Sequence, residues 1–491
     1  MGAKLRVMVD NRVRVEGELS PGALEHLAGL FTYANPDYHK QRRMGFYVGK
    51  MSPTIVTHRV EGGAPTFPRG AFRKVREALR SYGHEFDIID NRVEGRTCSA
   101  REIPDTNVTL YPYQEPVVRT LIEKQNCVMR MPTGSGKSTI ALAMASRLKV
   151  PTLVIVWSTN LYDQWHTRIV KELGLSPNEI GHVRGGNVQL KPITLAMQQT
   201  FNSKGVGKNV QKYFGLVIAD ELQKFASNTF QSTIDQLPSK YRIGVSADER
   251  RRDRKEFLIY DHFGQVAGEI ERDVLIDSGH VLDVEVIVAP TTFRTDWYKE
   301  VQEFTLLLER MCVDDERNQL IVDLAMKEIR KGEQVLVMSH RREHCVELAK
   351  MLASQGVRSG LMLGGDDYSN EFALTRRRLE SGELKVAVGT IQAIGQGLDL
   401  PKVGVAVVAT PTASNKQQFG QIRGRVCRVA QGKTSARLYY LWDREVYGTF
   451  HLRNLESWNN IVRVMKTPDE EPIEVGEYMR SRRVISEPVT L

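Results

Sequence analysis

Residues 131–139 read Met131-Pro132-Thr133-Gly134-Ser135-Gly136-Lys137-Ser138-Thr139. An apolar run, Cys127–Met131, precedes this stretch, and an Ala-rich run, Ile140–Leu148, follows it, which predicts a strand, a loop and a helix. This order is typical of a phosphate-binding loop, because glycines let main-chain N–H groups approach phosphate oxygens at a helix N-terminus. The general pattern has Gly at position 131, where this chain has Met. The stretch predicts nucleotide binding, and the alternative is a chance glycine turn.

The polar residues of this loop have distinct expected roles. Lys137 is expected to reach the β- and γ-phosphates of ATP, and Ser138 is expected to hold Mg²⁺ through its hydroxyl. The other residues of the stretch that are expected to contact the nucleotide are Thr133, Gly134, Ser135, Gly136 and Thr139.

A second motif lies downstream, where the apolar run Leu216–Ala219 leads into Asp220-Glu221-Leu222-Gln223. A buried strand that ends in two acids places both at the carboxyl edge of a sheet, where α/β folds bind ligands. Asp220 is therefore expected to hold the metal, and Glu221 to orient and deprotonate an attacking water. Without the upstream loop, an Asp-Glu pair would more often be a solvated turn.

A third motif, Gln421-Ile422-Arg423-Gly424-Arg425-Val426-Cys427-Arg428, concentrates arginines near the carboxyl end of the chain. On a helix, Arg425 and Arg428 share a face. Arginines directed at a γ-phosphate stabilise transition-state charge and are worth roughly 10³–10⁵ in rate. If a second domain supplies them, hydrolysis occurs only when the two domains close. The alternative is a solvated cationic helix.

The rest of the chain predicts an α/β protein with a small additional module. Short apolar runs alternate with helical stretches over residues 101–290 and again over residues 291–460, which indicates two parallel sheets covered by helices. Residues 1–100 predict a small α+β domain, and residues 461–491 a polar, loosely packed tail. The strands predicted for the two α/β regions are Cys127–Met131, Thr152–Trp157, Ile193–Ala196, Leu216–Ala219, Tyr241–Val245, Gln334–Ser339, Arg358–Leu363, Lys385–Gly389 and Val403–Ala409.

Composition excludes several classes of protein. With 41% hydrophobic and 26% charged residues, the chain is not predicted to be disordered, collagen-like or a coiled coil. No apolar run approaches the roughly 18 residues that span a bilayer, so no membrane association is expected. Five scattered cysteines are typical of reduced thiols, and the expected location is the cytoplasm of a bacterium or phage-infected host.

The net charge is +9, and the first 100 residues contribute 16 Lys+Arg and 11 Asp+Glu. Residues 33–49 interleave aromatic and cationic side chains, which suits stacking on bases and pairing with phosphates. The alternative is the core of a small domain beside a solvated basic face. The basic excess is interpreted as a feature for recognising a nucleic-acid substrate, and the candidate contacts are Tyr38, Arg42, Arg43 and Tyr47.

The order of these motifs resembles that of superfamily 2 helicases of the DEAD/DEAH-like group, over about residues 110–445. Residues 111–114 are similar to the glutamine motif, which implies that Gln114 reads adenine. Residues 131–139, 220–223 and 421–428 are similar to motifs I, II and VI, with Gln223 where His or Asp is usual. Residues 154–165, 246–248, 335–340 and 390–399 are similar to motifs Ia, III, IV and V, with Asp248 where Thr is usual. The resemblance implies nucleotide contacts from Gly397, Asp399 and Gln421, and a contact of Thr390 with nucleic-acid phosphates.

Within that superfamily the chain is most similar to the XPB-like and phage UvsW-like branch, and in length to phage branch-migration helicases. The N-terminal module has the placement and size of their small DNA-recognition domain, and Leu275–His280 resembles the segment that ends their first lobe. The resemblance implies two RecA-like lobes that use ATP and Mg²⁺ to remodel forks, Holliday junctions and D-loops in recombination, replication or repair.

Three alternatives stay open from the residues alone. The first is an RNA helicase of the same superfamily, and the second is a duplex translocase that does not separate strands. The third is a nucleotide-gated binding or scaffold protein, which is disfavoured because Glu221, Arg425 and Arg428 are all present. Oligomerisation is possible and is not predicted in either direction.

Overall fold

The computed structural model describes residues 4–204, 208–222, 228–247, 255–295, 304–395, 400–467 and 469–485. The chain divides into two compact units, Met1–Glu271 and Arg272–Leu491. Each unit contains a mainly parallel sheet flanked by helices, which confirms the α/β fold class with two tandem lobes. Within the described ranges, no helix combines the length and the apolar character needed to cross a membrane.

The first unit begins with an α+β module built on a five-stranded sheet of order β5-β6-β2-β1-β7. Alternate residues of the first two strands, such as Leu5, Val7 and Val13, are buried against helices. The strands are β1 (Leu5–Val9), β2 (Arg12–Glu16), β3 (Thr32–Ala34), β4 (Thr54–Val56), β5 (Arg59–Glu61), β6 (Ala64–Pro68) and β7 (Phe86–Asp90). The helices are α1 (Pro21–Leu30), α2 (Pro36–Arg43) and α3 (Phe72–Ser81).

The rest of the first unit is a lobe with an eight-stranded sheet of order β11-β10-β12-β9-β13-β14-β8-β15, in which β11 is antiparallel. Its strands are β8 (Asn126–Arg130), β9 (Thr152–Val156), β10 (Ile180–Arg184), β11 (Asn187–Gln189), β12 (Ile193–Met197), β13 (Leu216–Ala219), β14 (Tyr241–Ser246) and β15 (Val266–Glu269). Its helices are α4 (Gln114–Lys124), α5 (Lys137–Leu148), α6 (Thr159–Leu173), α7 (Gln198–Lys204), α8 (Lys208–Gln211), α9 (Asn228–Ile234) and α10 (Glu256–Phe263).

Strands β9 and β13 are buried along their whole length, because helices cover both faces of the parallel sheet. Helix α6 begins where the Ser158 side chain accepts the Leu161 N–H, and it ends at Gly174, whose φ is +68°. The strand order puts β8 and β13 two positions apart, with their carboxyl ends at one edge of the sheet. Loops that follow these two strands therefore meet.

The N-terminal module packs on this lobe through buried polar contacts. Arg12 is only 3% exposed, and its guanidinium lies 2.7 Å from Asp235 Oδ2. Arg69 donates to Asn126 Oδ1, and Lys74 lies 2.8 Å from the fully buried Asp261. Arg12 and Arg69 are buried, and Lys74, whose side chain is 35% exposed, is paired with Asp261. Part of the basic excess of residues 1–100 therefore holds the module on the lobe, which differs from the interpretation that this excess serves substrate recognition.

The second unit contains another eight-stranded sheet, of order β18-β19-β17-β20-β21-β16-β22-β23, in which β23 is antiparallel. Its strands are β16 (Val284–Pro290), β17 (Val335–Ser339), β18 (Ser359–Met362), β19 (Val386–Thr390), β20 (Val405–Val408), β21 (Ala436–Trp442), β22 (Ile461–Val464) and β23 (Ile473–Glu474). Its helices are α11 (Arg272–Asp277), α12 (Phe304–Cys312), α13 (Asp315–Arg330), α14 (Arg342–Ser354), α15 (Ser369–Ser381), α16 (Ile391–Gly395), α17 (Lys416–Val426), α18 (Arg444–Tyr447), α19 (Phe450–Trp458) and α20 (Val475–Ile485).

Two features of the second unit differ from the sequence predictions. Strand β16, which was assigned to the first α/β region, pairs with β21 and β22 in the second sheet. The predicted tail supplies β22 and β23, and Val464 and Tyr478 are buried there. Both departures have one cause, since distant strands complete the sheet and local patterning does not reveal their partners.

Candidate nucleotide site

The loop between β8 and α5 has the backbone of a phosphate cradle. Gly134 and Gly136 have φ values of +93° and +78°, in the left-handed region that glycine adopts without strain. A Cβ at Gly136 would lie 2.3 Å from Gln114 Nε2, so only glycine fits there. Helix α5 begins directly after Gly136, and its free N–H groups and dipole suit an anion.

Gln114, which is predicted to recognise adenine, forms side-chain hydrogen bonds that hold this loop in place. Its side chain is 2% exposed; Nε2 donates to the Ser135 carbonyl at 3.0 Å, and Oε1 accepts the Tyr111 N–H at 2.9 Å. Tyr113 also donates to the Ser135 carbonyl. The glutamine therefore connects the Gln motif to the phosphate loop directly.

Residues 137–139 form the first turn of α5, and the side chains of Lys137 and Thr139 have different partners. Lys137 Nζ lies 3.0 Å from the carbonyl oxygens of both Met131 and Pro132, at the mouth of the loop. Ser138 follows it in the first turn of α5. The Thr139 hydroxyl faces α6 instead, where it lies 3.1 Å from both Glu172 and Arg168. Thr133 and Ser135 lie in the loop itself, and the Ser135 hydroxyl donates to Pro132.

Asp220 and Glu221 follow β13 at the same edge of the sheet. Asp220 is 7% exposed, and its two oxygens accept the Trp165 Nε1–H and the Glu221 N–H, each at 2.8 Å. Burial and the adjacent Glu221 raise the pKa of Asp220, and the Trp165 hydrogen bond and the charge of Lys137 offset part of this rise. The resulting pKa is about 6. Glu221 has a φ of +51°, a left-handed conformation that is uncommon outside glycine and typical of functional turns.

These residues fit a magnesium ion that arrives with a nucleotide. In the described ranges, no group of three or more His, Cys, Asp and Glu side chains could hold a metal. Mg²⁺ is usually bound by one or two protein oxygens together with waters and substrate phosphates. The buried carboxylate of Asp220 and the hydroxyl of Ser138 are oxygen donors of that kind. Asp220 and Ser138 would hold the ion, and the ion would neutralise phosphate charge.

The arginines of the third motif have separate environments in the second unit. Arg425 is 7% exposed and donates to the Gly395 carbonyl at 2.7 Å, at the end of α16. Arg423 donates to the Trp458 carbonyl, and burial lowers its pKa to about 10. Arg428 is half-buried, just past the carboxyl end of α17. The shared face of a single helix that was predicted for Arg425 and Arg428 is therefore wrong, because α17 ends at Val426.

Two other predicted contacts lie in the same unit, Thr390 at the end of β19 and Gln421 within the arginine motif. The Thr390 side chain is 8% exposed, and its hydroxyl accepts the Ala393 N–H at the start of α16. Gln421 is half-buried on α17 and faces Gly395. The predicted residues that lie outside the described part of the chain are Gln223, Asp248, Gly397 and Asp399.

The candidate substrate contacts of the N-terminal module lie on and after α2. Arg42 and Arg43 are exposed, and Tyr38 is half-buried. Tyr47 is 93% exposed and Phe46 50% exposed. Met44 is also 45% exposed, and because contiguous exposed apolar side chains mark contact surfaces, this segment is a candidate contact surface.

The sequence does not single out Trp165 as a contact of the candidate site. It was matched only to motif Ia, yet its indole is buried against the candidate metal ligand. The available signal was that a buried tryptophan N–H needs an acceptor, and Asp220 is an acid at the end of a buried strand.

Two protein-family models match the chain. The model described as "Type III restriction enzyme, res subunit" matches residues 107–250, and "Helicase conserved C-terminal domain" matches residues 316–430. Together they cover more than half of the chain and contain the phosphate loop, the Asp-Glu pair and the arginine motif.

Three individual proteins match the chain at sequence identities between 22% and 28%. A protein of Halobacterium salinarum named "Putative DNA 3'-5' helicase Rad25" is 28% identical over 66% of this chain and 53% of its own length. "DNA 3'-5' helicase XPB" of Kineococcus radiotolerans is 22% identical over 80% of this chain and 71% of its own length. "Probable helicase D10" of Escherichia phage T5 is 24% identical over 73% and 75%. The match thus spans about half of the archaeal relative.

A solved structure shares the fold. The Saccharomyces cerevisiae protein in "Dbp5 bound to RNA and ADP BeF3" superimposes with a TM-score of 0.53 at 11% identity, over 79% of this chain and 98% of that one.

Proposed function

The chain belongs to the superfamily 2 helicases, which are ATP-dependent enzymes, and from this membership we propose that it couples ATP hydrolysis to the remodelling of branched DNA. The proposed substrates are forks, Holliday junctions and D-loops, and the proposed setting is recombination, replication or repair.

The observation that carries the ATPase part is the meeting of two loops at one sheet edge. Lys137 follows β8 and Asp220 follows β13, two parallel strands that end at the same edge of the sheet with β14 between them. In the proposed cycle Lys137 binds the β- and γ-phosphates, and Asp220 with Ser138 holds Mg²⁺. Glu221 then takes a proton from the attacking water. Arg425 and Arg428 contribute positive charge in the transition state.

DNA is supported as the substrate by the archaeal and bacterial relatives, which are named as DNA 3'-5' helicases. The branched form is supported by the end of α2 and the segment after it, where the exposed rings of Phe46 and Tyr47 lie between the exposed cations Arg42, Arg43 and Lys50. Stacking on unpaired bases requires such exposed rings, and a branch point presents unpaired or easily unstacked bases. Phosphate contacts, including that of Thr390, would be independent of sequence and would weaken with salt.

Adding DNA is expected to raise the ATPase rate, and forks, Holliday junctions and D-loops are expected to stimulate more than linear duplex or single strands. ATP turnover and strand displacement are measured on each substrate at one salt concentration, because phosphate contacts make all these rates salt-dependent. An unchanged rate with every DNA would exclude the motor. Equal stimulation by linear duplex, with no strand displacement, would indicate a duplex translocase, and greater stimulation by RNA would indicate an RNA helicase.

The double substitution Phe46→Ala and Tyr47→Ala is expected to reduce the preference for forked over linear DNA while the basal ATPase rate stays unchanged. Each lost stacking contact is worth about 1–3 kcal/mol of binding free energy. Competition binding with labelled fork and duplex of equal length measures the preference. The control is Tyr82→Ala, which removes another exposed tyrosine of the same module, at the end of α3. A preference that is unchanged, or lowered equally by the control, would contradict this assignment.

A further inference from the structure

Lys433 lies within hydrogen-bond distance of four main-chain carbonyl groups of the second unit. Its Nζ is 2.6 Å from the Val426 oxygen and 2.8 Å from the Arg428 oxygen. It is also 3.1 Å from the Pro401 oxygen and 2.6 Å from the Val403 oxygen. An ammonium group has three N–H donors. With four acceptors around it, all three donors are used, and one of them is shared between two carbonyl oxygens.

The four acceptors belong to two different motif segments. Val426 is the last residue of α17, and Arg428 ends the arginine motif. Pro401 and Val403 lie in the chain that follows motif V and leads into β20. Lys433 thus joins the ends of two segments at one point, and the Arg425 contact with Gly395 joins them a second time.

A lysine at this position also completes the carboxyl end of α17. The last carbonyls of a helix have no partner within the helix, and a cation there is favoured by the helix dipole. The Cys427 carbonyl accepts the Leu282 N–H at 2.6 Å, so Lys433 and Leu282 together satisfy three successive main-chain groups beside Arg428. The backbone from which the Arg428 side chain extends is therefore held from two sides.

We propose that Lys433 is a positioning residue, which fixes motif VI to the end of motif V and so places Arg425 and Arg428 for ATP hydrolysis. This inference rests on the proposed function. Lys433 itself touches no reacting atom; it acts through the main chain of the arginine motif. A displacement of about 1 Å in a group of this kind can lower a rate by as much as about 10²-fold.

The test replaces Lys433 with methionine in the full chain, which keeps the aliphatic stem and removes the charge and the donors. The matched control is Lys402→Met, because Lys402 is adjacent to Pro401, is exposed, and donates to the single carbonyl of Glu380. ATP-analogue binding gives the fraction of folded, competent protein, and steady-state kinetics with saturating DNA give kcat and KM for ATP.

Lys433→Met is expected to lower kcat by about 10- to 10²-fold, with unchanged binding stoichiometry and KM, because the nucleotide-binding loop lies in the other unit. Lys402→Met is expected to behave as the wild type. A purely structural role would reduce the binding-competent fraction instead, in proportion to activity. If Lys433→Met does not fold, Lys433→Gln, which retains two N–H donors, is measured in the same way.

Either variant overturns the inference if its kcat per competent molecule equals that of Lys402→Met. That result, with a wild-type protein that hydrolyses ATP in response to DNA, would leave the proposed function intact. A wild-type protein without DNA-stimulated ATPase activity would instead remove the proposed function itself.

Discussion

Replacing Lys137 with alanine is expected to lower ATP turnover by about 10²–10³-fold or more, the loss typical of a single pre-positioned transition-state stabiliser. The ammonium group of Lys137 lies at the start of the loop, where it donates to the carbonyl oxygens of Met131 and Pro132. Its removal takes away the charge that would meet the β- and γ-phosphates. DNA binding is expected to be largely retained, because the candidate DNA contacts lie on other elements.

The measurement is steady-state ATPase with and without DNA, together with DNA binding by anisotropy. The matched control is Lys124→Ala, an exposed lysine in the last turn of α4 in the same unit. Substantial residual turnover in Lys137→Ala would contradict the assignment of the loop. Equal loss of turnover and DNA binding would point to misfolding, and thermal unfolding distinguishes that outcome.

The phosphate loop was predictable because its information is local. One strand, one loop and one helix determine the position of Lys137, and all three are contiguous in the chain. Asp220 and Glu221 were predictable for the same reason, since a buried strand fixes where its carboxyl end lies. The boundaries of the two strands agree with the predictions to within one residue, and α5 begins three residues before the predicted Ile140.

Contacts between distant parts of the chain were not predictable in this way. Trp165 and Asp220 are 55 positions apart, and nothing in either local pattern pairs an indole N–H with that carboxylate. From its sequence context, Lys433 is an ordinary basic residue in a turn. The fold places four main-chain carbonyl groups around its ammonium group. Long-range strand pairing likewise decided the positions of β16 and β22.

The N-terminal module shows how such contacts change an experiment. Removing residues 1–95 is the obvious test of a DNA-recognition domain, but it would leave Asp235 buried without Arg12. Breaking a buried ion pair by removing one partner costs about 3–5 kcal/mol. The deletion would therefore reduce the stability of the first lobe as well as any DNA contact. Substitutions in the exposed segment at Phe46 and Tyr47 avoid this, because that segment is not part of the buried ion pair.

Replacing Glu221 with glutamine is expected to lower the rate of ATP hydrolysis by about 10²–10⁴-fold while ATP binding is retained. Glutamine keeps the size and hydrogen-bonding shape of the side chain but cannot accept a proton from the attacking water. The main-chain N–H of residue 221 would still donate to Asp220 Oδ1, so the turn should persist. Single-turnover hydrolysis and binding of a fluorescent ATP analogue measure the two quantities separately.

The charge interaction between Glu221 and Asp220 lets this variant separate the loss of proton transfer from the loss of the metal. The negative charge of Glu221 raises the pKa of Asp220, so a neutral glutamine lets that pKa fall. Asp220 would then be more fully ionised near neutral pH and no weaker as a ligand for Mg²⁺. Loss of hydrolysis with intact, Mg²⁺-dependent nucleotide binding can therefore be assigned to proton transfer rather than to a missing metal. The control is Glu123→Gln, at an exposed position of α4. Hydrolysis within tenfold of the wild-type rate, about 1.4 kcal/mol in activation free energy, would show that Glu221 is not the base.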